Sequence, residues 1–387
     1  MDTNEELMRQ FGSVIVRLLR RENISRAEAR ECWSQICRES QPDLQQGAFI
    51  AALKAKGETP DEVAGTFEAL YELDTIKVTV DTPTPVVDNC GTGADTLKTF
   101  NISTGAAIVA AACGVYVVRH AARAISSNCG AVDVVEALGV DVQSAPELPK
   151  QSIERAGIGI WNAFLPTIHP KTLGRVLSQI RFGSTINIVG PLLNPTMPQY
   201  KVMGVPNTDM IDIEVRTLRE LGFKRAFVMH GLDEHSGKGM DELSTLGASR
   251  VAELHPDGSI TRTTVTPEDV GLSRGTFDDV ASGRDVTRNA RTLLAVLAGR
   301  DAGPRTDIVC FNAAPVLYVM GVVPTLRDGV EMARRTIENG GALRKLREWV
   351  TWQNATPDAG LATLDAMLDS VGASMPSYGS SPSAARV

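Results

Sequence analysis

No stretch of this chain is apolar for long enough to cross a bilayer. Its start, MDTNEELMRQFGSVIVRLLRREN, lacks the basic residues, apolar run and small-residue cleavage site of a secretory leader. Its six cysteines, Cys32, Cys37, Cys90, Cys113, Cys129 and Cys310, are scattered without CxxC pairs, which argues against a zinc site and for a reduced, cytoplasmic setting. Positive charge is also short, with 39 Lys and Arg against 46 Asp and Glu and a net charge of −7. The cations are spread rather than bunched, so there is no basic field for a polyanion, and neither nucleic acid nor a membrane is an expected partner. No internal repeat is visible, and no Ser-His-Asp or Cys-His motif suggests a covalent nucleophile.

What is present is ordinary globular material, 387 residues with 43% hydrophobic and 22% charged, enough for two domains. Leu7, Phe11, Val14, Ile15, Leu18 and Leu19 recur at three-to-four spacing, which predicts an amphipathic helix. Ser25 followed by Glu28 matches a capping box, the run DLQQGAFIAALKAKG stops at Gly57, and another run starts at Thr59 with Pro60 in its first turn. Residues 1–80 are therefore expected to form an all-helical domain. After the Thr/Val/Pro stretch 76–86, short β-branched runs at Val86–Asp88, Val115–Val118, Thr185–Val189 and Ala226–Met229 read as strands, with helices near 103–112, 132–138 and 207–221. The expected fold is α/β: a small all-helical N-terminal domain, then a larger domain over 81–370 with a mostly parallel central sheet flanked by helices. The Ser/Pro/Gly/Ala-rich end, 371–387, reads as a disordered tail.

The most informative segment is VVDNCGTGADTLKTFNISTGAAIVAAAC, starting at Val86. A strand ends at Asp88, Gly91 and Gly93 follow, and a helix starts near Ser103 or Thr104. Glycines let backbone N–H groups approach an anion, and the helix start adds unpaired N–H groups and partial positive charge. Asn101, Ser103 and Thr104 add side-chain donors or a metal ligand in the same place. A Gly-x-Gly turn alone is equally at home in an ordinary strand-to-helix turn. The segment is not a Walker loop, having no Gly-Lys-Ser/Thr, nor a dinucleotide fingerprint, lacking the third glycine.

The strings GTGAD (Gly91–Asp95), NIST (Asn101–Thr104), RHAAR (Arg119–Arg123) and SSNCGAVD (Ser126–Asp133) are similar to the GTGGD, NxST, KHGNR and SxKSGSxD elements of anthranilate phosphoribosyltransferases. QQGAFIAALKAKGETPDEVAG, INIVGPLLNP, KVMGV, GMDELSTLGASRVAEL and FNAAPVLYVMG extend the likeness over nearly the whole chain. The resemblance implies a magnesium-dependent enzyme that takes phosphoribosyl diphosphate and an aromatic amine, forms a homodimer through its N-terminal helices, and adds a segment near 170–200 to the helical domain. It implies donor contacts at Gly91, Thr92, Gly93, Asp95, Thr99, Asn101, Ser103, Thr104, Arg119 and Ser127, and magnesium ligands at Ser103, Asp241 and Glu242. It places His120, Ala122, His169 and Leu177 on the acceptor side. A second acidic pair, Asp233-Glu234, precedes the first within an apparent insertion between His230 and Met240, but the continuation LSTLGASRVAEL marks Asp241-Glu242 as the match.

Departures gather on the acceptor side. Ala122 stands for the family's Asn, and Leu177 for its anthranilate-binding Arg. Arg119 replaces a Lys, Ala94 and Ala121 replace glycines, and Asn128 and Cys129 replace Lys and Ser. A buried carboxylate without a cation would cost several kcal/mol, so the acceptor pose is expected to be modified. Anthranilate is the foremost single acceptor. The same chemistry on another aromatic or heterocyclic amine, or a non-catalytic ligand-binding relative, stays open. A nucleoside-phosphorylase-like reaction has no KxSxxxK signature to support it.

Overall fold

The computed structural model describes residues 3–93, 96–124 and 129–375. Four helices open the chain: α1 (Thr3–Leu19), α2 (Arg26–Cys37), α3 (Asp43–Lys56) and α4 (Pro60–Asp74). Their starts are set locally. The Glu28 carboxylate accepts from the Ser25 amide at 2.9 Å, and the Glu62 carboxylate from the Thr59 amide at 2.8 Å, while each capping hydroxyl accepts the N3 amide in return. Trp33, Phe11 and Phe49 fill the centre of the bundle, with Phe11 and Phe49 centroids 5.3 Å apart. The Lys56 side chain, shielded from solvent, pairs with Glu62 at 2.8 Å and closes the α3–α4 turn.

Next come β1 (Val86–Asp88), α5 (Ile102–Ala112), β2 (Tyr116–Ala121), α6 (Ala131–Ala137), α7 (Glu147–Ala156), β3 (Ile158–Asn162), α8 (Thr172–Ile180), α9 (Thr185–Val189), β4 (Tyr200–Gly204), α10 (Asp209–Glu220), β5 (Arg225–Leu232), β6 (Gly239–Met240), β7 (Ser249–Leu254) and β8 (Ile260–Val265). The helices α11 (Phe277–Val280), α12 (Val286–Leu297), α13 (Pro304–Val319), α14 (Leu326–Glu338), α15 (Gly341–Trp352) and α16 (Pro357–Ser370) follow. Strands pair in the order β3-β2-β1-β4-β5-β7-β8, with β6 beside β5. The run from β3 to β5 is parallel, whereas β6, β7 and β8 are antiparallel additions. This is the expected class, a helical N-terminal domain and a mostly parallel sheet flanked by helices. The chain leaves β1 towards β2 and β3 on one side and returns to β4 and β5 on the other, so the β1/β4 boundary is a switch point. Crevices outside the carboxyl ends of strands form at such points.

One strand expectation is overturned. Thr185–Val189 is a short helix, α9, not a strand. Its β-branched residues read as strand in isolation, but the Asn187 side chain accepts from the Ser184 amide at 2.9 Å and starts a helical turn. Thr185, Ile186, Ile188 and Val189 are then buried there. The strand expected at Val115–Val118 runs instead over Tyr116–Ala121, which puts Arg119 and His120 within β2. One apolar cluster joins α1–α4 to α8, α9, α10 and one face of β4 and β5. A second joins α5, α6 and α12–α16 to the other side of the sheet, and it includes Ala373 with Val371 packed against it. The rest of the expected tail, 376–387, lies outside the described residues. No helix among the described residues is long and apolar enough to cross a membrane.

Candidate active site

The glycine loop leaves β1 at the switch point, and a buried polar anchor sets its exit. Asp88 Oδ1 accepts from the Cys90 amide at 3.0 Å. Oδ2 accepts from Lys201 Nζ at 2.8 Å and Asn194 Nδ2 at 3.1 Å, and Lys201 also donates to Pro191 O at 2.7 Å. The Asp88–Lys201 pair is fully buried, bridging β1 and β4. A pair so deep is retained only with every polar atom engaged, and it ties the loop's first residues to the neighbouring strand.

The loop then crosses the end of β4. Thr92 N donates to Gly204 O at 3.1 Å, and Gly93, at φ +64°, donates its N–H to Asp241 Oδ2 at 2.6 Å. Gly204 is glycine because a Cβ there would stand 1.5 Å from Asp241 O. Two loops distant in sequence can therefore close on one another at this point. Leu97 N donates to Gly239 O at 3.0 Å, so the β5–β6 hairpin that carries the apparent insertion supports the far side of the loop. Thr99 forms an isolated bridge with Ala281. Asp95 and Ser127, both expected at the donor, lie outside the described residues.

Arg119 lies beneath the start of α5, 1% exposed. Its Nη1 donates to Thr104 Oγ1 at 2.6 Å and its Nη2 to Ser103 Oγ at 3.1 Å, while Nε has no hydrogen-bond partner among the described residues. Among the described residues no carboxylate reaches it, and the guanidinium is buried against two hydroxyls and the Cys90 thiol. A buried cation without a counter-ion at a helix N-terminus is arranged to receive an anion. Asn89 Nδ2 holds Ser103 O at 2.8 Å, and the side-chain oxygens of Asn89 and Asn101 are buried without partners among the described residues, acceptors available to a ligand's hydroxyls.

Asp241 and Glu242 follow β6, with Glu242 buried. The Asn312 amide in α13 grips the next residue, accepting from Leu243 N at 2.8 Å and donating to Leu243 O at 2.9 Å. The other acidic pair is used differently: Asp233 accepts from His235 N and Ser236 Oγ within the hairpin turn, and Glu234 pairs with Arg274 at the surface. Among the described residues no three His, Cys, Asp or Glu side chains gather to cage an ion. Two carboxylates and the Ser103 hydroxyl suit magnesium, which takes one or two carboxylates and completes its shell with water and substrate phosphate oxygens.

On the other side of β2, His120 Nε2 and His169 Nε2 are 2.9 Å apart, both rings buried. Burial, then the neighbouring His169 and Lys201, hold His120 well below the ordinary histidine range, and burial lowers His169. Ala122 and Leu177, both half-buried, pack against the cluster that contains Ala163, Leu192 and Leu193. The helix bearing Leu177 is capped from the helical domain: Asp74 accepts from Lys171 N at 2.7 Å, Thr172 N at 2.8 Å and Leu173 N at 2.7 Å. The sequence reading missed Asp74, Asp88, Lys201 and Gly204. Lys201 and Gly204 had a signal, their shared place in the KVMGV string, which assigned a role to neither.

A helical bundle joined to a parallel sheet, with a glycine loop, a buried cation and an acidic pair at its switch point, defines a protein that grips an anionic, metal-bound group. Residues 13–73 match the helical bundle domain of a glycosyl transferase family, and residues 83–343 match that family's a/b domain. The anthranilate phosphoribosyltransferase of Anaeromyxobacter dehalogenans (strain 2CP-C) is 40% identical over 339 residues, 87% of this chain and 96% of the relative. That of Persephonella marina is 36% identical over 84% of this chain and 95% of its own length. The crystal structure of anthranilate phosphoribosyltransferase from Thermus thermophilus superposes with a TM-score of 0.79 at 32% identity, covering 88% of this chain and 99% of that one. The Saccharomyces cerevisiae enzyme in complex with PRPP and Mg gives 0.76 at 25% identity, over 91% and 98%. The chain belongs to this glycosyl transferase family, among the anthranilate phosphoribosyltransferases.

Proposed function

We propose that this chain transfers the phosphoribosyl group of phosphoribosyl diphosphate to anthranilate, releasing pyrophosphate, as a step of tryptophan biosynthesis in the cytoplasm. The observation that carries the reading is the anion cradle: the Gly91–Gly93 loop held against Asp241 at 2.6 Å, beside a buried Arg119 with no carboxylate partner among the described residues. Breaking the C1–O bond of the ribose leaves positive character on C1 and growing negative charge on the departing pyrophosphate. The N–H groups at the start of α5, the Arg119 guanidinium and the Ser103 and Thr104 hydroxyls meet that charge, already oriented before the reaction begins. Asp241, Glu242 and Ser103 would hold magnesium, which supplies further positive charge to the leaving group. Asn89 and Asn101 offer acceptor oxygens to the ribose hydroxyls. The acceptor amine attacks C1 itself, so no covalent protein nucleophile is needed.

The acceptor lies on the His120, Ala122, His169 and Leu177 side, between the sheet and the helical domain over 1–80 and about 170–200. A different aromatic or heterocyclic amine is the second reading, favoured by the apolar Ala122 and Leu177. A homodimer through the N-terminal helices accounts for apolar side chains left in solvent there, with Val16 47% exposed, Leu19 68% and Leu44 88%. The test is pyrophosphate release from phosphoribosyl diphosphate and magnesium, with and without anthranilate, followed alongside anthranilate fluorescence. Release that needs anthranilate and is lost in Asp241→Ala supports the reading. Donor binding without release on anthranilate addition would move it to another acceptor.

A further inference from the structure

Around the two histidines every ring nitrogen has a neighbour, and the neighbours count the protons. His120 Nδ1 lies 3.1 Å from Gly190 O, the two Nε2 atoms are 2.9 Å apart, and His169 Nδ1 lies 2.9 Å from Asp74 O. A carbonyl only accepts, so His120 carries its proton on Nδ1 and presents a bare Nε2. The Nε2 contact then requires the proton of His169 on Nε2, which leaves His169 Nδ1 bare against the Asp74 carbonyl. One donor can serve that bare nitrogen, the Thr75 hydroxyl at 3.3 Å, and the same hydroxyl can turn instead to Leu70 O at 3.1 Å.

Two arrangements therefore exist, differing by one proton and one hydroxyl rotation, and only the cationic one gives Asp74 O a donor from His169. In the neutral one Thr75 donates to His169 Nδ1. In the cationic one His169 Nδ1–H donates to Asp74 O, and Thr75 turns to Leu70. Burial, and on His120 the charge of Lys201, favour the neutral arrangement, while Asp74 pulls His169 the other way. The other charges facing the pair are committed elsewhere. Lys201 of β4 is paired with Asp88 of β1, the Asp74 carboxylate of α4 is held by three amides of α8, and Arg175 of α8 donates to Ile36 O and Gln46 Oε1 at 3.0 Å. Cys37 of α2, near Asp74, is kept protonated by burial, pushed up to about 11.

We propose that the His120–His169 pair takes up one proton, at His169 Nδ1, when a carboxylate-bearing acceptor binds, supplying a positive charge that the apolar Ala122 and Leu177 do not. This rests on the acceptor reading above. The carboxylate supplies the field that offsets the burial of an imidazolium, and the proton comes from solvent. His169 is a positioning and charge-bearing residue, coupled to the acceptor side through His120 and through α8.

The test is isothermal titration of anthranilate into enzyme saturated with magnesium pyrophosphate, at about pH 7, in phosphate and in Tris. The heat difference between buffers of unlike ionisation enthalpy counts protons. Uptake close to one proton per anthranilate is expected, with none for aniline, and anthranilate affinity falls by about tenfold per pH unit while uptake is complete. Thr75→Val removes the hydroxyl that serves the neutral arrangement, so uptake falls towards zero while anthranilate still binds. His169→Gln abolishes uptake and weakens anthranilate at least about tenfold. Anthranilate binding without proton uptake in the wild type, or uptake that survives His169→Gln, overturns the proposal. Donor binding with no anthranilate binding at all ends the acceptor reading and this proposal with it.

Discussion

Replacing Glu214 by glutamine should make the protein more stable at alkaline pH and leave that gain absent in acid. Glu214 sits within α10, fully buried between the helical domain and the sheet, with neither carboxylate oxygen hydrogen-bonded among the described residues. Burial pushes its carboxyl up to about 8 from an ordinary 4.5, with Lys201 opposing and Glu58 reinforcing the rise. Between those two pH values the folded chain holds a proton that the unfolded chain has released. Stability is therefore fully present below about pH 4.5, declines as pH rises, and levels off above about pH 8. At about 1.4 kcal/mol per pH unit over an interval of about 3.5 units, the loss is at most about 5 kcal/mol, and water penetration would reduce it. Glutamine keeps the shape, does not titrate, and leaves an unpaired amide whose cost is independent of pH. Urea unfolding of both proteins at several values between about pH 5 and 9 isolates the difference, and a gap between variant and wild type that widens with pH by a few kcal/mol is expected. Parallel profiles would refute the buried, protonated carboxyl.

Three further perturbations address the site's supports. Gly204→Ala places a methyl 1.5 Å from Asp241 O, so the acidic loop must withdraw from Gly93. Donor-dependent turnover should fall by about 100-fold or more, or about 2.7 kcal/mol, with little change in circular dichroism. Lys201→Met leaves Asp88 charged and buried and should cost about 3–5 kcal/mol by denaturant unfolding, part of it recovered in the Lys201→Met/Asp88→Asn double variant. Asp74→Ala strips three amides at the start of α8 of their acceptor, costing about 1–2 kcal/mol. Amide exchange should quicken at Lys171, Thr172 and Leu173 before it does in the sheet.

The parts of the fold legible in the sequence are those whose causes are local. Ser25 with Glu28 and Thr59 with Glu62 bond across three residues, so the helix starts could be read directly. The loop after Asp88 announced itself through Gly91, Gly93 and the helix that follows. Thr185–Val189 was misread because β-branched propensity is weak beside the burial and capping that make α9 a helix. The roles of Asp74 and Lys201 were invisible because their partners lie far along the chain, Leu173 at 99 residues and Asp88 at 113. The closure of Asp241 on Gly93 spans 148 residues, so the Asp241-Glu242 pair could be singled out only through the strings around it. RHAAR marked Arg119, but nothing in it reveals that the guanidinium is buried, with no carboxylate partner among the described residues.

The most direct measurement is the mass spectrum of the product formed from phosphoribosyl diphosphate, magnesium and anthranilate. A magnesium-dependent species with the combined mass of anthranilate and ribose 5-phosphate, less one water, absent with Asp241→Ala, is the expected result. Pyrophosphate released without that conjugate, or no reaction by a folded protein that binds the donor, would contradict transfer to anthranilate.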